Sequence, residues 1–232
     1  MLGWLDALPE EALRADGRLC LARGWTLLAA GQTDEALPWA DAAERALHTP
    51  PFRDGTTSAA SGAACLRSSY WAHCGDVGKA RRFAHEVLRH QPTGPWRGVP
   101  AVALGRCAYW LDDKTDAVEH FEEAVRLGRG LTPRPLSRVI ALGYLALIAI
   151  DRAHCEHAKT RVEDALDAIA EAGADEYWMA SMAHFARGRL LERQGEPAEA
   201  EAELERGLAL ARRGAPPTAR AAPARSPVGG GR

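Results

Sequence analysis

The sequence predicts an all-α protein, a right-handed superhelical solenoid of about five helix-turn-helix repeats. Three observations carry that prediction. One segment pattern recurs five times along the 232 residues. Small residues fall in three columns at fixed offsets across the five copies. No stretch alternates apolar and polar residues with the period of two that a half-buried strand needs.

The five copies begin GQTDEALPWADAAERAL at Gly31, GDVGKARRFAHEVL at Gly75, DDKTDAVEHFEEAVRL at Asp112, AHCEHAKTRVEDALDAI at Ala153 and GEPAEAEAELERGLAL at Gly195. Their aligned alanines are Ala36, Ala80, Ala117, Ala158 and Ala200, spaced 44, 37, 41 and 42 residues apart. Seven positions on stand Ala43, Val87, Ala124, Ala165 and Gly207; twelve positions back stand Gly24, Ser68, Gly105, Ala146 and Gly188. Two antiparallel helices joined by a short turn approach closely only where side chains are small, and the next pair stacks under the same constraint. That is the requirement of a tetratricopeptide (TPR)-type helix pair. The spacing exceeds the simplest unit of 34 residues, and the excess falls mainly in linkers such as 48–57.

In chain order, the first helices are expected near 17–30, 59–74, 97–111, 135–152 and 176–194. The second helices are expected near 33–47, 77–91, 114–128, 155–172 and 197–213. Pro50-Pro51, Pro92 with Pro95, and Pro133 with Pro135 stand where one pair ends and the next begins. The repeats thus read 17–47, 59–91, 97–128, 135–172 and 176–213 within a solenoid over 1–213. The remainder, 214–232, is a Pro/Gly/Arg tail without an acidic side chain. It cannot bury enough apolar surface to fold and is expected to be disordered. The array then ends without a polar capping helix, so its last pair is expected to expose an apolar face that invites self-association.

Composition narrows the function. A net charge of −2 gives no whole-chain reason to expect nucleic-acid binding. The longest apolar run, Val139 to Ile150, is too short to span a bilayer. The N-terminus lacks the basic and apolar regions of a signal peptide. Five scattered cysteines (Cys20, Cys65, Cys74, Cys107, Cys155), odd in number and never in a CxxC pair, point to reduced thiols and a cytoplasmic setting.

The opening WLDALPEEAL followed by RLCLARGWTLLAAGQTDEALPWADAAERAL resembles the MalT-like TPR region of LuxR-family transcriptional regulators of the large ATP-binding type. The likeness continues through LRSSYWAHCGDVGKARRFAHEVL and WRGVPAVALGRCAYWLDDKTDAVEHFEEAV, and covers about 1–213. The resemblance implies a sensor and relay domain that receives an inducer or inhibitory partner and controls self-association. In that family it lies between an ATPase module and a helix-turn-helix. This sequence departs from the pattern at both flanks: it has no G-x-x-x-x-G-K-[ST], and nothing after Gly214 suits a helix-turn-helix. A reduced repeat protein or a fragment of a larger regulator is expected, with neither ATPase nor DNA-binding activity.

Three constellations suggest chemistry and do not sustain it. Gly75, Gly78 and Lys79 resemble a phosphate loop, but only two residues separate the glycines, and Ala80 stands where a Ser or Thr would bind magnesium. His154, Cys155 and His157 are close in sequence, but a zinc site needs three or four ligands and no second pair is placed. His73–Cys74 and Arg106–Cys107 are adjacent on helices and point about 100° apart, which rules out nucleophile–base pairs. The acidic runs Glu122-Glu123 and 199–205 read as solvated faces. No cofactor, metal site or catalytic group is expected, and the chain is not read as an enzyme.

Most of the seven tryptophans (Trp4, Trp25, Trp39, Trp71, Trp96, Trp110, Trp178) read as packing between helices. The first helices of a solenoid also line its concave groove. Positions one and five after each small residue then nominate Trp25, His73, Arg106, Trp110, Asp151, Arg189 and Arg193 as groove residues. Arg106, Trp110, Arg189 and Arg193 would suit an acidic or aromatic peptide or an anionic small ligand. The expected function is a non-catalytic scaffold for a protein or peptide partner or a small inducer. It is either the regulatory repeat domain of a LuxR-family regulator or a free-standing TPR adaptor.

Overall fold

A computed structural model describes residues 3–46, 52, 58–91, 93–129 and 136–214. Within them the chain forms α1 (Gly3–Asp6), α2 (Glu10–Ala15), α3 (Gly17–Ala29), α4 (Thr33–Arg45), α5 (Ala59–Cys74), α6 (Val77–His90), α7 (Gly98–Trp110), α8 (Lys114–Gly128), α9 (Leu136–Asp151), α10 (Cys155–Ala172), α11 (Ser181–Gln194) and α12 (Pro197–Gly214). Two 3₁₀ turns, Pro95–Arg97 and Trp178–Ala180, lead into α7 and α11. No strand occurs among the described residues. The protein is a TPR-like solenoid in which α3–α4, α5–α6, α7–α8, α9–α10 and α11–α12 are the five pairs. The expected helix boundaries hold to within one or two residues except at α11, which starts at 181 behind its 3₁₀ turn.

The five inner turns are copies of one backbone device. Gly31, Gly75, Asp112, Ala153 and Gly195 all adopt positive φ, between 57° and 83°. One residue on, the amides of Gln32, Asp76, Asp113, His154 and Glu196 donate to carbonyls five residues back, at 2.9–3.1 Å. This closes the first helix of each pair, and the second begins immediately afterwards. Asp76 and Asp113 then cap their second helices, accepting from the Lys79 and Asp116 amides at 2.9 and 3.0 Å. Two copies place a non-glycine in the left-handed region, so this turn is set by the helix pair it joins and not by glycine alone.

The three small columns are buried, and they do what their size suggests. Ala36, Ala80, Ala117, Ala158 and Ala200 are each at most 1 % exposed. A Cβ on Gly105 would stand 2.8 Å from the Phe121 ring, and one on Gly188 2.6 Å from Leu204, so the first helix sits against the second at van der Waals distance. Phe121, fully buried, stacks on Tyr144 of the next pair at 4.9 Å and 10°. The N-terminal segment, read above only for its resemblance, forms α1 and α2. Their Leu5 and Leu13 cover the first pair's core, with Arg14 over the Trp39 ring at 4.6 Å.

Charged residues also tie neighbouring helices together. Arg67 on α5 holds Asp41 and Glu44 of α4 at 2.6 and 2.7 Å. The acidic runs are not simply solvated. Glu123 accepts from Arg97 at 2.8 Å, Glu122 pairs with Arg161, and Glu203 bonds the buried His184 at 2.7 Å. Each carboxylate lies at a helix seam, where an arginine or histidine of another segment reaches it. At the far end Leu208 is 43 % exposed, beside Leu204 and Pro197 on α12. Gly214, assigned above to the tail, is the last residue of α12; residues 215–232 and most of the 48–57 linker lie outside the described residues.

Candidate functional site

The solenoid curls until its two ends touch. The indole N–H of Trp178 donates to the carbonyl of Leu28, 150 residues away, at 2.8 Å. His73 Nε2 bonds the carbonyl of Gly214 at 2.5 Å, and the imidazole lies 4.1 Å from the Trp178 ring. Gly31 meets the backbone of Arg213 so closely that a Cβ there would collide with the Arg213 carbonyl, its carbon only 2.9 Å away. The inner ends of α3 and α5 are therefore closed by Trp178 and the C-terminal end of α12.

Ring closure divides the seven nominated residues into two groups. Trp25, His73 and Arg106 do not line an open groove. Trp25 is half-buried, 6.3 Å from the Trp96 ring. His73 is held by Gly214 and Trp178. Burial first, then the charge of Arg106, pushes its pKa down to about 4, so the imidazole is neutral at neutral pH. Arg106 is only 6 % exposed, with its guanidinium near the rings of Trp110 (5.2 Å), Tyr144 and Trp178 (both 6.0 Å). An offset rule places His73 and Arg106 on the inner face, but it cannot register that the fifth repeat returns to cover them; Trp25 packs instead against Trp96 and the cluster of Ala64, Cys65 and Val87.

Trp110, Asp151, Arg189 and Arg193 make up the second group, Trp110 and Asp151 ending α7 and α9 and both arginines in the C-terminal half of α11. Arg189 donates to Asp151 at 2.7 Å, bridging α11 and α9. Tyr109 joins them: its hydroxyl is pushed up in pKa chiefly by burial and next by Asp151, with Arg189 and Asp112 also within electrostatic reach. Lys114 lies over the Tyr109 ring at 3.7 Å. Trp110 and Leu111, 40 % and 58 % exposed, are two of three large apolar side chains exposed among the described residues. Leu111, absent from the nominated set, had a signal in the sequence: it is a bulky apolar residue one position before a turn.

The remaining constellations behave as scaffolding. Asp76 occupies the amide of Lys79, and Lys79 itself pairs with Asp76 at 3.1 Å and lies over the Trp71 ring at 3.8 Å. An anion would have to displace the protein's own carboxylate there. The His154 and His157 rings are 6.0 Å apart, and no group of three metal-ligating side chains occurs among the described residues. Cys20, Cys65, Cys74 and Cys107 are free thiols, and burial pushes that of Cys65 up to about 12, which makes it a poor nucleophile. No helix among the described residues is long and apolar enough to cross a membrane.

No family model matches the sequence, and no curated protein matches it. Among solved structures, the chain is similar to the crystal structure of a protein of Podosopora anserina described as a kinesin light chain with nearly identical TPR-like repeats. The match has 18 % identity and a TM-score of 0.49, and it covers 83 % of this chain and 93 % of the other.

Proposed function

We propose that the chain is a non-catalytic interaction scaffold that presents the wall formed by Trp110, Leu111, Asp151, Arg189 and Arg193 to an acidic, aromatic-containing peptide. What supports this reading is the exposure of Trp110 and Leu111 at the end of α7, together with the Arg189–Asp151 pair that bridges α11 and α9 on the same repeat-built scaffold. Exposed aromatic and arginine side chains on such a surface are the usual anchors of peptide recognition. Asp151 competes for Arg189, so an incoming carboxylate exchanges one partner for another and the site avoids leaving a bare cation.

Within that reading, the resemblance to MalT-like regions favours a regulatory repeat domain of a LuxR-family regulator acting in the cytoplasm, with self-association through the exposed α12 face. A free-standing TPR adaptor makes the same use of the surface. The genomic DNA flanking the coding region separates the two: a Walker motif upstream or a helix-turn-helix downstream supports the regulator, and clean flanks support the adaptor.

The binding surface is tested with an array of acidic, tryptophan-containing dodecapeptides. Any peptide that binds the unaltered protein should lose at least about tenfold in affinity to Arg189→Glu with Arg193→Glu, and to Trp110→Ala. Circular dichroism should show all variants folded. Unchanged affinity in the folded double variant would refute the assignment.

A further inference from the structure

Arg106 lies behind that wall, its guanidinium 5.2 Å from the Trp110 ring, and its hydrogen-bonding is incomplete. Its guanidinium makes no hydrogen bond or ion pair with any described residue, and Nε is buried without a partner. Arg67, in contrast, holds two carboxylates. Contacts with Trp110, Tyr144 and Trp178 offset part of the desolvation of Arg106. They leave its in-plane N–H donors unused, because ring faces attract the charge without accepting five directed bonds. A buried cation without a counter-ion is rare, and it is costly unless an anion completes it.

His73 supplies the complementary half. Its Nε2 donates to the Gly214 carbonyl, so Nδ1 carries the lone pair, and that nitrogen is also buried without a partner. Both groups lie against the Trp178 indole, the His73 ring at 4.1 Å and the Arg106 guanidinium at 6.0 Å. The pair thus offers several donors with a positive charge and one acceptor. An oxyanion that also carries a hydroxyl satisfies both: its oxygens accept from Arg106 and its O–H donates to His73 Nδ1.

We infer that Arg106 and His73 form a binding site for a small hydroxylated oxyanion, a phosphate or a 2-hydroxycarboxylate, beneath Trp178 and the end of α12. Of the wall residues the site touches Trp110, on the ring face over Arg106; the oxyanion response of Arg106 variants and the peptide response of Arg189→Glu with Arg193→Glu therefore test the two sites separately. Trp178 and Gly214 close over it, and occupancy therefore tightens the ring.

The test is thermal unfolding of the full chain in chloride buffer, with inorganic phosphate, glycolate or acetate added at constant ionic strength. Phosphate or glycolate should raise the midpoint saturably, by about 3 °C at ten times its dissociation constant. The tighter of the two identifies the ligand class, and acetate, which lacks the hydroxyl, should act at least about tenfold more weakly. Arg106→Met should melt above the unaltered protein in chloride and show no response to phosphate or glycolate. Equal responses in Arg106→Met and the unaltered protein, or a lower midpoint for the variant in every buffer, would overturn the inference. Arg106→Lys keeps the charge and provides a second reading should the methionine variant not fold. At least a tenfold weaker apparent affinity is expected from it, and undiminished affinity overturns the site.

Discussion

Replacing Gly31 by alanine should destabilise the protein by about 3 kcal/mol, whereas the same change at Gly195 should cost about 1 kcal/mol. Both residues sit in equivalent turns with nearly identical backbone, φ +81° and +83°. A left-handed alanine costs about 1–2 kcal/mol, partly offset by the lower entropy of the unfolded alanine chain, and this part is common to the two sites. The surroundings differ. Nothing lies within 4 Å of a Cβ on Gly195, while one on Gly31 would stand 2.9 Å from the Arg213 carbonyl carbon and 3.1 Å from the Gly214 Cα. Those are backbone atoms of the α12 end, so the helix end must move. With it goes the bond from His73 to Gly214 and the packing of Gly214 on Trp178. A lost hydrogen bond with its buried partners left bare costs about 1–3 kcal/mol. The assay is urea unfolding at 25 °C followed by circular dichroism, with Gly75→Ala as a second control whose Cβ would meet Trp110 at an ordinary 3.6 Å. If Gly31→Ala and Gly195→Ala agree within about 0.5 kcal/mol, the ends of the solenoid do not hold one another and the closed ring is wrong.

Three other outcomes test the same frame. Trp178→Phe keeps the apolar bulk but leaves the Leu28 carbonyl without its donor. A loss of about 1–3 kcal/mol is expected in urea titrations, and a loss below about 0.3 kcal/mol would mean the bond is not made in solution. His73 should make the protein acid-sensitive: its folded pKa of about 4 lies below the ordinary histidine value, so the unfolded chain binds the extra proton between the two. This stability is present near neutral pH and lost as pH falls through that window, about 2 kcal/mol between about pH 7.5 and about pH 5. His73→Gln should flatten that dependence, and an unaltered slope would count against the buried neutral imidazole. Gly105→Leu, which drives a side chain into the Phe121 ring, should cost about 1–3 kcal/mol or more by urea unfolding. A neutral result there would contradict the close approach of α7 and α8.

The repeat was legible because its cause is local. An alanine at 36, 80, 117, 158 or 200 is small for the same reason each time, and five repetitions of one packing constraint rise above composition. The turns were legible from Gly31, Gly75 and Gly195. The repeat aligned Asp112 and Ala153 with them, but their left-handed conformation shows only in their positive φ, because neither residue type announces such a turn. The covering role of α1 and α2 was missed for a related reason: helices of four and six residues carry too little periodicity to read.

For the candidate site, the sequence by itself determined which residues stand on the first helices and at what register, and so nominated Arg106, Trp110, Arg189 and Arg193 together. Only the tertiary structure separated them, leaving Trp110, Arg189 and Arg193 outside and sealing Arg106 beside His73 under Trp178. Helix faces are set by contacts three or four residues apart, which periodicity records. Closure of the ring depends on small angles summed over five helix pairs. These bring Trp178 to Leu28 across 150 residues, a distance over which no local pattern in the sequence carries information.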